Sequence, residues 1–488
     1  MSTCKGLLGA WEYLGFPDRG SATRVNLDEK LRQLRKAAEK SSADLELERQ
    51  LEWLRRRDQS VRPLPAQRVP CGIEHYVEGS VQTNRLGEYF VARQSLPFGR
   101  PYGKLRVGDV SVSDLSALQI FLGGGLDGGS LPDPTDLIYL DTETTGLAGG
   151  TGTCAFLIGV GAIEGSDFVV QQFFLRDYPE EKAVLAALAE ILCGYKGLVT
   201  FNGKTFDVPL LETRFRLARQ RSPFGRMIHL DLLHPARQLW KLRLESCRLT
   251  HLEAEILGLG RSGDVDGAEI PGIYFDYLRS GDARGLQPVF YHNSLDIVTL
   301  AALTTELARI VRTESARGVD VGQAGIDSES APGLDLFSLS RIFERTGDRA
   351  RAANVCRRAL DSGLPAAIEP RALWHLATQH RRSGEFEQAA EIWKEITRRE
   401  TDYFLEALEQ LAIHAEHRLR DAAAALEFTE RALGWLGSKA GTPPRDGAAA
   451  EWQGWSRLAR RRDVERFRHR LDRLKRKASR PDPLLELP

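Results

Sequence analysis

Four acidic residues in three separate segments have the types and settings that phosphodiester chemistry requires. They are Asp141 and Glu143 in LIYLDTETTGL, Asp207 in TFNGKTFDVPL and Asp296 in FYHNSLDIVTL. A phosphodiester is anionic, and its hydrolysis is assisted by two Mg²⁺ or Mn²⁺ ions roughly 4 Å apart, which serve the attacking and the leaving oxygen. Hard cations at that separation need several carboxylates. Four acids from distant segments meet that demand, so the pattern predicts a nuclease.

Hydrophobic periodicity indicates the strand that holds the first two acids. Residues 137–140 form an apolar run that ends abruptly in charge, which is typical of a buried strand. Side chains alternate along a strand, so Asp141 and Glu143 share one face and Thr142 points to the other. Both carboxylates can therefore reach one metal ion.

The other two acids are predicted to lie on helices. Asp207 follows an apolar run at residues 198–201 and begins an amphipathic stretch, so it lies near a helix start. Asp296 falls within a helical pattern from about residue 288 to 311 that also carries His292. Four further acids are typical of caps and turns, although each could supplement a metal site: Asp231, Glu253, Asp264 and Asp266.

These segments resemble the motifs of the DEDD exonuclease superfamily, which has a ribonuclease H-like fold and removes nucleotides from 3′ ends. DTETTGL is similar to the first motif, NGKTFD at 202–207 to the second, and the Asp296 segment to the third. More closely, residues from about 136 to 312 resemble the bacterial YprB-type ribonuclease H-like domain, in segments such as LAGGTGTCAFLIGVG, HLDLLHPARQLW and HNSLDIVTL. The resemblance implies an α/β ribonuclease H-like fold, with a mixed sheet flanked by helices.

The same resemblance implies roles for individual residues. The expected metal ligands are Asp141, Glu143, Asp207 and Asp296. The residues expected near the terminal nucleotide are Thr144, Gly146 and Leu147, and Asn202 is expected to shape the second motif.

The third motif departs from the superfamily pattern, which has a His five positions or a Tyr four positions before the last Asp. Here Tyr291 lies five before Asp296 and His292 lies four before it. Residues four apart on a helix share a face, whereas residues five apart diverge by roughly 140°. We therefore assign His292 to orienting or deprotonating water near Asp296. A packing role for His292 is the alternative, and it would favour weak or absent catalysis.

Composition and short motifs limit which other classes of protein the chain can belong to. The 488 residues, 42% hydrophobic, suggest two or more domains, and a net charge of zero requires any nucleic-acid contact to come from a local patch. Six scattered cysteines indicate reduced thiols and a cytoplasmic protein. No signal peptide or membrane-spanning apolar run is found. The GxGxxA string at 150–155 precedes an apolar strand rather than a helix, so we expect no dinucleotide cofactor.

Composition changes along the chain predict its organisation. We expect a charged helical or flexible arm at 1–66, a small β element at 67–122, a glycine-rich linker at 123–135, the ribonuclease H-like exonuclease domain at 136–315, and tetratricopeptide-like helical repeats with a basic C-terminal helix at 333–480.

The all-α repeat domain is predicted from internal similarity. Related segments begin at residues 347, 384 and 420, at spacings of 37 and 36, near the ~34 of tetratricopeptide repeats. Such repeats present a concave surface, which can bind a protein partner, nucleic acid or the neighbouring domain. Residues 457–480 carry twelve Arg and Lys against three acids. They are consistent with a phosphate-binding helix or with a solvated cap on the repeats.

The sequence therefore predicts a two-metal-ion-dependent 3′-5′ exonuclease that hydrolyses DNA or RNA. Two alternatives remain open: a catalytically weak or inactive nucleic-acid-binding scaffold on the same fold, and a structure-specific endonuclease.

Overall fold

The computed structural model describes residues 72–122, 131–146, 152–316, 331–438 and 452–478. The predicted arm at 1–66, most of the glycine-rich linker at 123–135, and Leu147 lie outside these described residues.

In the described part of the chain, seven strands form one mixed sheet in the order β1-β2-β7-β6-β5-β8-β9. Strands β5, β8 and β9 are parallel to one another, and the remaining pairings are antiparallel. The strands are β1 Gly79–Asn84, β2 Gly87–Pro97, β5 Leu137–Thr144, β6 Ala155–Glu164, β7 Asp167–Phe174, β8 Gly197–Thr200 and β9 Ile228–Asp231, and β3 Pro101–Tyr102 with β4 Leu105–Arg106 form a separate hairpin.

The β element predicted at 67–122 does not stand apart from the sheet. Strand β2 pairs with β7 along its length, with Val91 opposite Phe173, and β1 forms the sheet edge. The partner of a strand is set by packing across the fold rather than by local sequence, and an isolated hairpin is at best marginally stable. The segment is therefore the outer part of one continuous sheet.

Helices cover both faces of the sheet. They are α1 Glu181–Leu192, α2 Asp207–Leu217, α3 Leu233–Trp240, α4 Leu249–Leu252, α5 Ile270–Ser280 and α6 Gln287–Ala316, with a π-helical turn at Glu253–Leu257. Residues Ile138 and Leu140 of β5 pack in one core with α1, α2 and α5. Residues Leu137 and Tyr139 face the opposite core with α3 and most of α6. The mixed, helix-flanked sheet predicted from the sequence is confirmed.

Three helix pairs follow, and they confirm the predicted repeats. They are α7 Gly333–Arg345 with α8 Arg349–Asp361, α9 Glu369–Arg382 with α10 Phe386–Ile396, and α11 Phe404–His414 with α12 Ala422–Ser438. The recurring segments correspond to α8, α10 and α12, the second helix of each pair. No helix in the described ranges is long and apolar enough to cross a membrane.

A final helix, α13 Trp452–Ala478, packs on the last repeat through the fully buried Phe467 and Leu474. Part of its positive charge is used in this packing. Arg473 contacts Glu416 at 2.6 Å and Arg466 contacts Glu409 at 2.8 Å. Two roles were predicted for this helix, binding of phosphate and capping of the repeats. These ion pairs favour capping.

The first repeat shares its core with the sheet domain. One buried cluster runs from β5 through α3 and α6 into α7, α8 and the start of α9. At this junction Arg243 forms a bidentate ion pair with the buried Asp335, at 2.8 to 3.0 Å. The predicted boundary at 315 to 333 therefore separates two patterns of sequence but not two hydrophobic cores.

Candidate active site

The end of β5 presents two acids to one face of the sheet and a threonine to the other. Asp141 and Glu143 point to the face covered by α6, as the alternation of the strand predicts, and Thr142 points to the other face. There the Thr142 hydroxyl donates a hydrogen bond to Oδ1 of Asp207, at 2.5 Å. Asp207 is the first residue of α2 and is buried. Thr142 thus connects the first acidic strand to the second acidic segment.

A buried amide chain fixes Asp141. Asn293 of α6 donates from Nδ2 to the Asp141 carboxylate at 3.0 Å, and Gln172 of β7 donates to Oδ1 of Asn293 at 2.9 Å. Gln172 also donates to the Phe290 carbonyl at 2.8 Å. Gly159 of β6 makes room for this arrangement, because a Cβ there would lie 2.1 Å from Asn293 Oδ1. Sequence reasoning missed Asn293, although its position three residues before Asp296 predicts a shared helix face.

The turn before Asp207 is held by Asp231. The Asp231 carboxylate, 2% exposed, accepts hydrogen bonds from the backbone N–H groups of Asn202 at 2.7 Å and Lys204 at 3.0 Å. It also caps the next helix through the N–H of Leu233. Asn202 has a φ of 65°, a left-handed conformation that Asn tolerates better than most residues. Asp231 is a turn acid, as expected, and the turn it shapes positions Asp207.

The third motif has the predicted helical geometry. His292 Nε2 lies 3.6 Å from Asp296 Oδ2, so the two residues share a face of α6. Tyr291 points away and is 46% exposed. His292 Nδ1 faces Asp264 Oδ1 at 2.8 Å. The His–Asp face is therefore present, whereas a role for His292 in activating water stays a prediction.

An arginine that sequence reasoning missed lies at the centre of the third motif. Arg261 bonds Glu253 through Nε at 2.5 Å and Nη2 at 2.6 Å, Asp264 through Nη1 at 2.8 Å, and Asp296 through Nη2. It also contacts His292 Nδ1 at 3.3 Å. Asp264 keeps a turn role by accepting from the N–H of Val265. Glu253 is the C-cap residue of α4 through its backbone N–H, and its carboxylate is buried against Arg261. Arg261 is three residues from Asp264 and eight from Glu253, but its contact with Asp296 spans 35 positions, and no local pattern predicts that contact.

The carboxylates are close enough to oppose one another's ionisation. Burial raises the pKa of Asp141 well above its ordinary value, and Asp296, Asp207 and Glu143 raise it further. Burial raises the pKa of Glu143 to about 8, with contributions from Asp296 and Asp207, while His292 partly offsets the rise. Desolvation and like charge disfavour the charged form. The four acids therefore form one interacting group, and the positive charge around them is too small to offset their burial and mutual repulsion.

The pKa values of Asp207, Asp296 and His292 are also raised. Burial raises the pKa of Asp207 to about 6, although the Thr142 hydrogen bond opposes the shift. Burial also raises the pKa of Asp296, outweighing Arg261 and His292. For His292, burial lowers the pKa, but Asp296, Glu143 and Asp264 outweigh it, so the net pKa is raised.

The donor set suits a hard divalent cation. Carboxylate oxygens are the ligands that Mg²⁺ and Mn²⁺ prefer, and a buried acidic cluster gains stability from added positive charge. Among the described residues, no group of three or more His, Cys, Asp or Glu side chains already has a metal-binding arrangement. The carboxylates are bonded instead to Thr142, Asn293 and Arg261. The chemistry of the residues fits the ions, and binding requires these side chains to rearrange.

Two predicted substrate residues lie beyond the acids. The Thr144 hydroxyl donates to the carbonyl of Gly146 at 3.1 Å, and both residues are partly exposed at the end of β5. Leu147, predicted with them, lies outside the described residues.

Comparison with known proteins defines the class of the two domains. Residues 138–308 match the RNase_H superfamily, and residues 333–431 match the tetratrico peptide repeat. The chain therefore combines a ribonuclease H-like domain with C-terminal tetratricopeptide repeats, as predicted. It is also 29% identical over 304 residues to the uncharacterized protein YprB of Bacillus subtilis (strain 168), a match that covers 61% of this chain and 69% of that protein. The match of this domain to the superfamily suggests nuclease activity.

Proposed function

We propose that the protein is a metal-dependent 3′-5′ exonuclease that hydrolyses phosphodiester bonds of DNA or RNA. One observation carries this proposal: Asp141, Glu143, Asp207 and Asp296 converge in a ribonuclease H-like domain closely enough to raise one another's pKa values. Such strongly perturbed groups cluster at functional sites. A repulsive cluster of this kind is costly to keep unless it binds positive charge.

The four acids would hold two Mg²⁺ or Mn²⁺ ions. When bound, the ions supply positive charge that stabilises the attacking and leaving oxygens of the phosphodiester. Asn293 orients Asp141, Thr142 orients Asp207, and Arg261 orients Asp296. These three residues are positioning residues, because each acts through an acid.

His292 would orient or deprotonate the attacking water. Its Nε2 is the ring nitrogen nearer Asp296, while Nδ1 faces Asp264, which fixes the ring. A carboxylate partner at Nδ1 selects the tautomer with its hydrogen there and leaves Nε2 able to accept a proton. Thr144, Gly146 and Leu147 would contact the terminal nucleotide, and Asn202 would shape the turn before Asp207.

The proposal extends to location and partners. The described cysteines, at 154, 193, 247 and 356, are free thiols, which supports a cytoplasmic protein. The repeats would bind either a protein partner or the substrate.

Cleavage of labelled oligonucleotides tests the activity. Purified protein is incubated with 5′-labelled single-stranded DNA or RNA in Mg²⁺, Mn²⁺ or EDTA, and the products are resolved by length. We expect a metal-dependent ladder that shortens from the 3′ end and is absent for Asp141→Asn. Asp402→Asn, which removes an exposed acid from the repeats, is the matched control and should cleave as the wild type does.

An inactive binding scaffold is the second candidate, and the ion pair between Arg261 and Asp296 favours it, because a guanidinium already neutralises an expected metal ligand. Binding of both polymers without cleavage in any metal would support the scaffold. Cleavage of a circular substrate, which has no 3′ end, would instead indicate an endonuclease.

A further inference from the structure

The helical repeats contain a cavity of about 230 Å³ that the nuclease proposal does not use. We call it the repeat cavity, and its lining includes Phe337 and Arg341 of α7, Arg371, Trp374 and His375 of α9, and Tyr403 before α11. Its volume is below the ~300–1,000 Å³ of pockets for drug-sized ligands. The size suits one unit of a polymer rather than a whole small molecule.

The repeat cavity is positively charged. Burial lowers the pKa of Arg341, and the neighbouring Arg371 and Arg345 lower it further, so the guanidinium groups repel one another. The nearest acid on α7, Glu344, is engaged by His375 at 3.2 Å and by Arg382 at 2.5 Å. Within the described residues, neither Arg341 nor Arg371 forms an ion pair with a carboxylate. Two guanidinium groups thus remain for an anion, and Arg binds phosphate well through its planar fork of donors.

The same cavity has an aromatic wall. The rings of Trp374 and Tyr403 are stacked, with centroids 5.6 Å apart and planes 18° from parallel, and both residues are partly exposed. Phe337 is fully buried and meets His375 edge-on. Partly exposed aromatic side chains beside Arg are the feature on which bases of single strands stack.

We propose that the repeat cavity binds single-stranded nucleic acid, with Arg341 and Arg371 on the phosphates and the Trp374–Tyr403 wall against a base. A peptide ending in a carboxylate is the other anion that could enter. The nucleic acid is favoured because the cavity offers two arginines that form no ion pair with a carboxylate among the described residues, beside an aromatic wall on which a base can stack. The inference goes beyond the proposed nuclease activity, because a strand can bind here whether or not the acids hydrolyse it.

Binding in EDTA tests the cavity without cleavage. A fluorescent 12-nucleotide single strand is titrated with the wild type and with the double variant Arg341→Gln/Arg371→Gln, and anisotropy is recorded over a range of salt. We expect the double variant to bind on the order of tenfold more weakly and its salt slope to fall by about 1.4, which corresponds to two lost phosphate contacts at about 0.7 each. The charge-matched control Arg349→Gln/Arg398→Gln alters exposed arginines of the same repeats and should bind normally.

Three results would overturn the inference: wild-type affinity in the cavity variant, equal weakening in the control, or displacement of the strand by a carboxylate-ended peptide but not by an unlabelled strand. If the cavity variant does not fold, photocrosslinking of wild-type protein to a 5-bromouracil strand decides the question. Crosslinks at Trp374 or Tyr403 support the site, and crosslinks found only elsewhere refute it. Because EDTA removes catalysis from both measurements, an inactive nuclease does not affect the outcome.

Discussion

Replacing Arg261 tests how the third motif is held together. Its guanidinium is 11% exposed and neutralises Glu253, Asp264 and Asp296. Arg261→Gln keeps much of the side-chain length but removes the charge. Three carboxylates that the arginine now bridges would then face one another across the site.

The expected loss of stability follows from the burial of these acids. Glu253 is 2% exposed and cannot be rehydrated in place, whereas Asp264 and Asp296, at 12% and 13%, can each gain some water. Removing one partner of a buried ion pair costs about 3–5 kcal/mol. Because one acid dominates the penalty, we expect a loss of about 3–5 kcal/mol in the free energy of unfolding, rather than three times that value. Arg261→Lys should lose less, since it keeps the charge but cannot bridge several acids.

Urea unfolding in EDTA, followed by circular dichroism, measures this loss. Arg279→Gln is the matched control, because Arg279 pairs with Asp276 on the surface and its loss should change stability by no more than about 0.5 kcal/mol. Mn²⁺ should restore part of the stability of Arg261→Gln, because it supplies charge beside Asp296. Wild-type stability of Arg261→Gln in EDTA would refute the reasoning that this guanidinium holds the motif together.

Three further predictions concern residues that support the acids or lie on the neighbouring strand β9. Asp231→Asn removes a carboxylate that accepts backbone hydrogen bonds from the turn before Asp207; it should cost about 1–3 kcal/mol in urea unfolding and weaken Mn²⁺ binding by calorimetry. Burial lowers the pKa of His229 from 6.5 to about 4, so the unfolded chain takes up a proton at a higher pH than the folded protein does. At most about 3 kcal/mol of stability should therefore be lost as pH falls from 6.5 to 4. His229→Gln should abolish this loss. Gly159→Ala should push Asn293 away from Asp141 and lower the cleavage rate on the order of tenfold.

Each of these predictions has a contradicting result, and the glycine variant also has a matched control. Gly225→Ala adds a methyl group where space is open and should cleave normally, so equal losses in both glycine variants would contradict the role of Asn293. An acid-stability profile unchanged by His229→Gln would show that other groups set it. Unaltered Mn²⁺ affinity in Asp231→Asn would mean that the turn does not position Asp207.

The sequence predicted the parts of the site that local geometry determines. The alternation of β5 predicted the shared face of Asp141 and Glu143, and helical spacing predicted that His292, not Tyr291, would face Asp296. These inferences succeed because the periods of strands and helices are fixed by the backbone. They required no knowledge of which elements meet in space.

The features that the sequence did not predict depend on long-range contacts. Arg261 meets Asp296 across 35 positions of chain, and β2 pairs with β7 rather than closing a separate element. The shared core of the sheet domain and first repeat likewise depends on pairs such as Arg243 with Asp335, 92 positions apart. No periodic pattern encodes such partners, because packing between elements selects them rather than the local sequence.

The shared core also determines how the repeat cavity would contribute to cleavage. Arg341 lies on α7, whose buried residues Phe337 and Leu339 belong to the same core as Tyr139 of β5, two residues before Asp141. A strand held in the repeat cavity would therefore be presented at a fixed position relative to the acids, rather than through a flexible tether. Contacts of this kind bind substrate and transition state equally, so losing them raises KM and leaves kcat unchanged. The double variant Arg341→Gln/Arg371→Gln should show this behaviour, in contrast to Gly159→Ala, whose effect on Asn293 and Asp141 should appear in kcat.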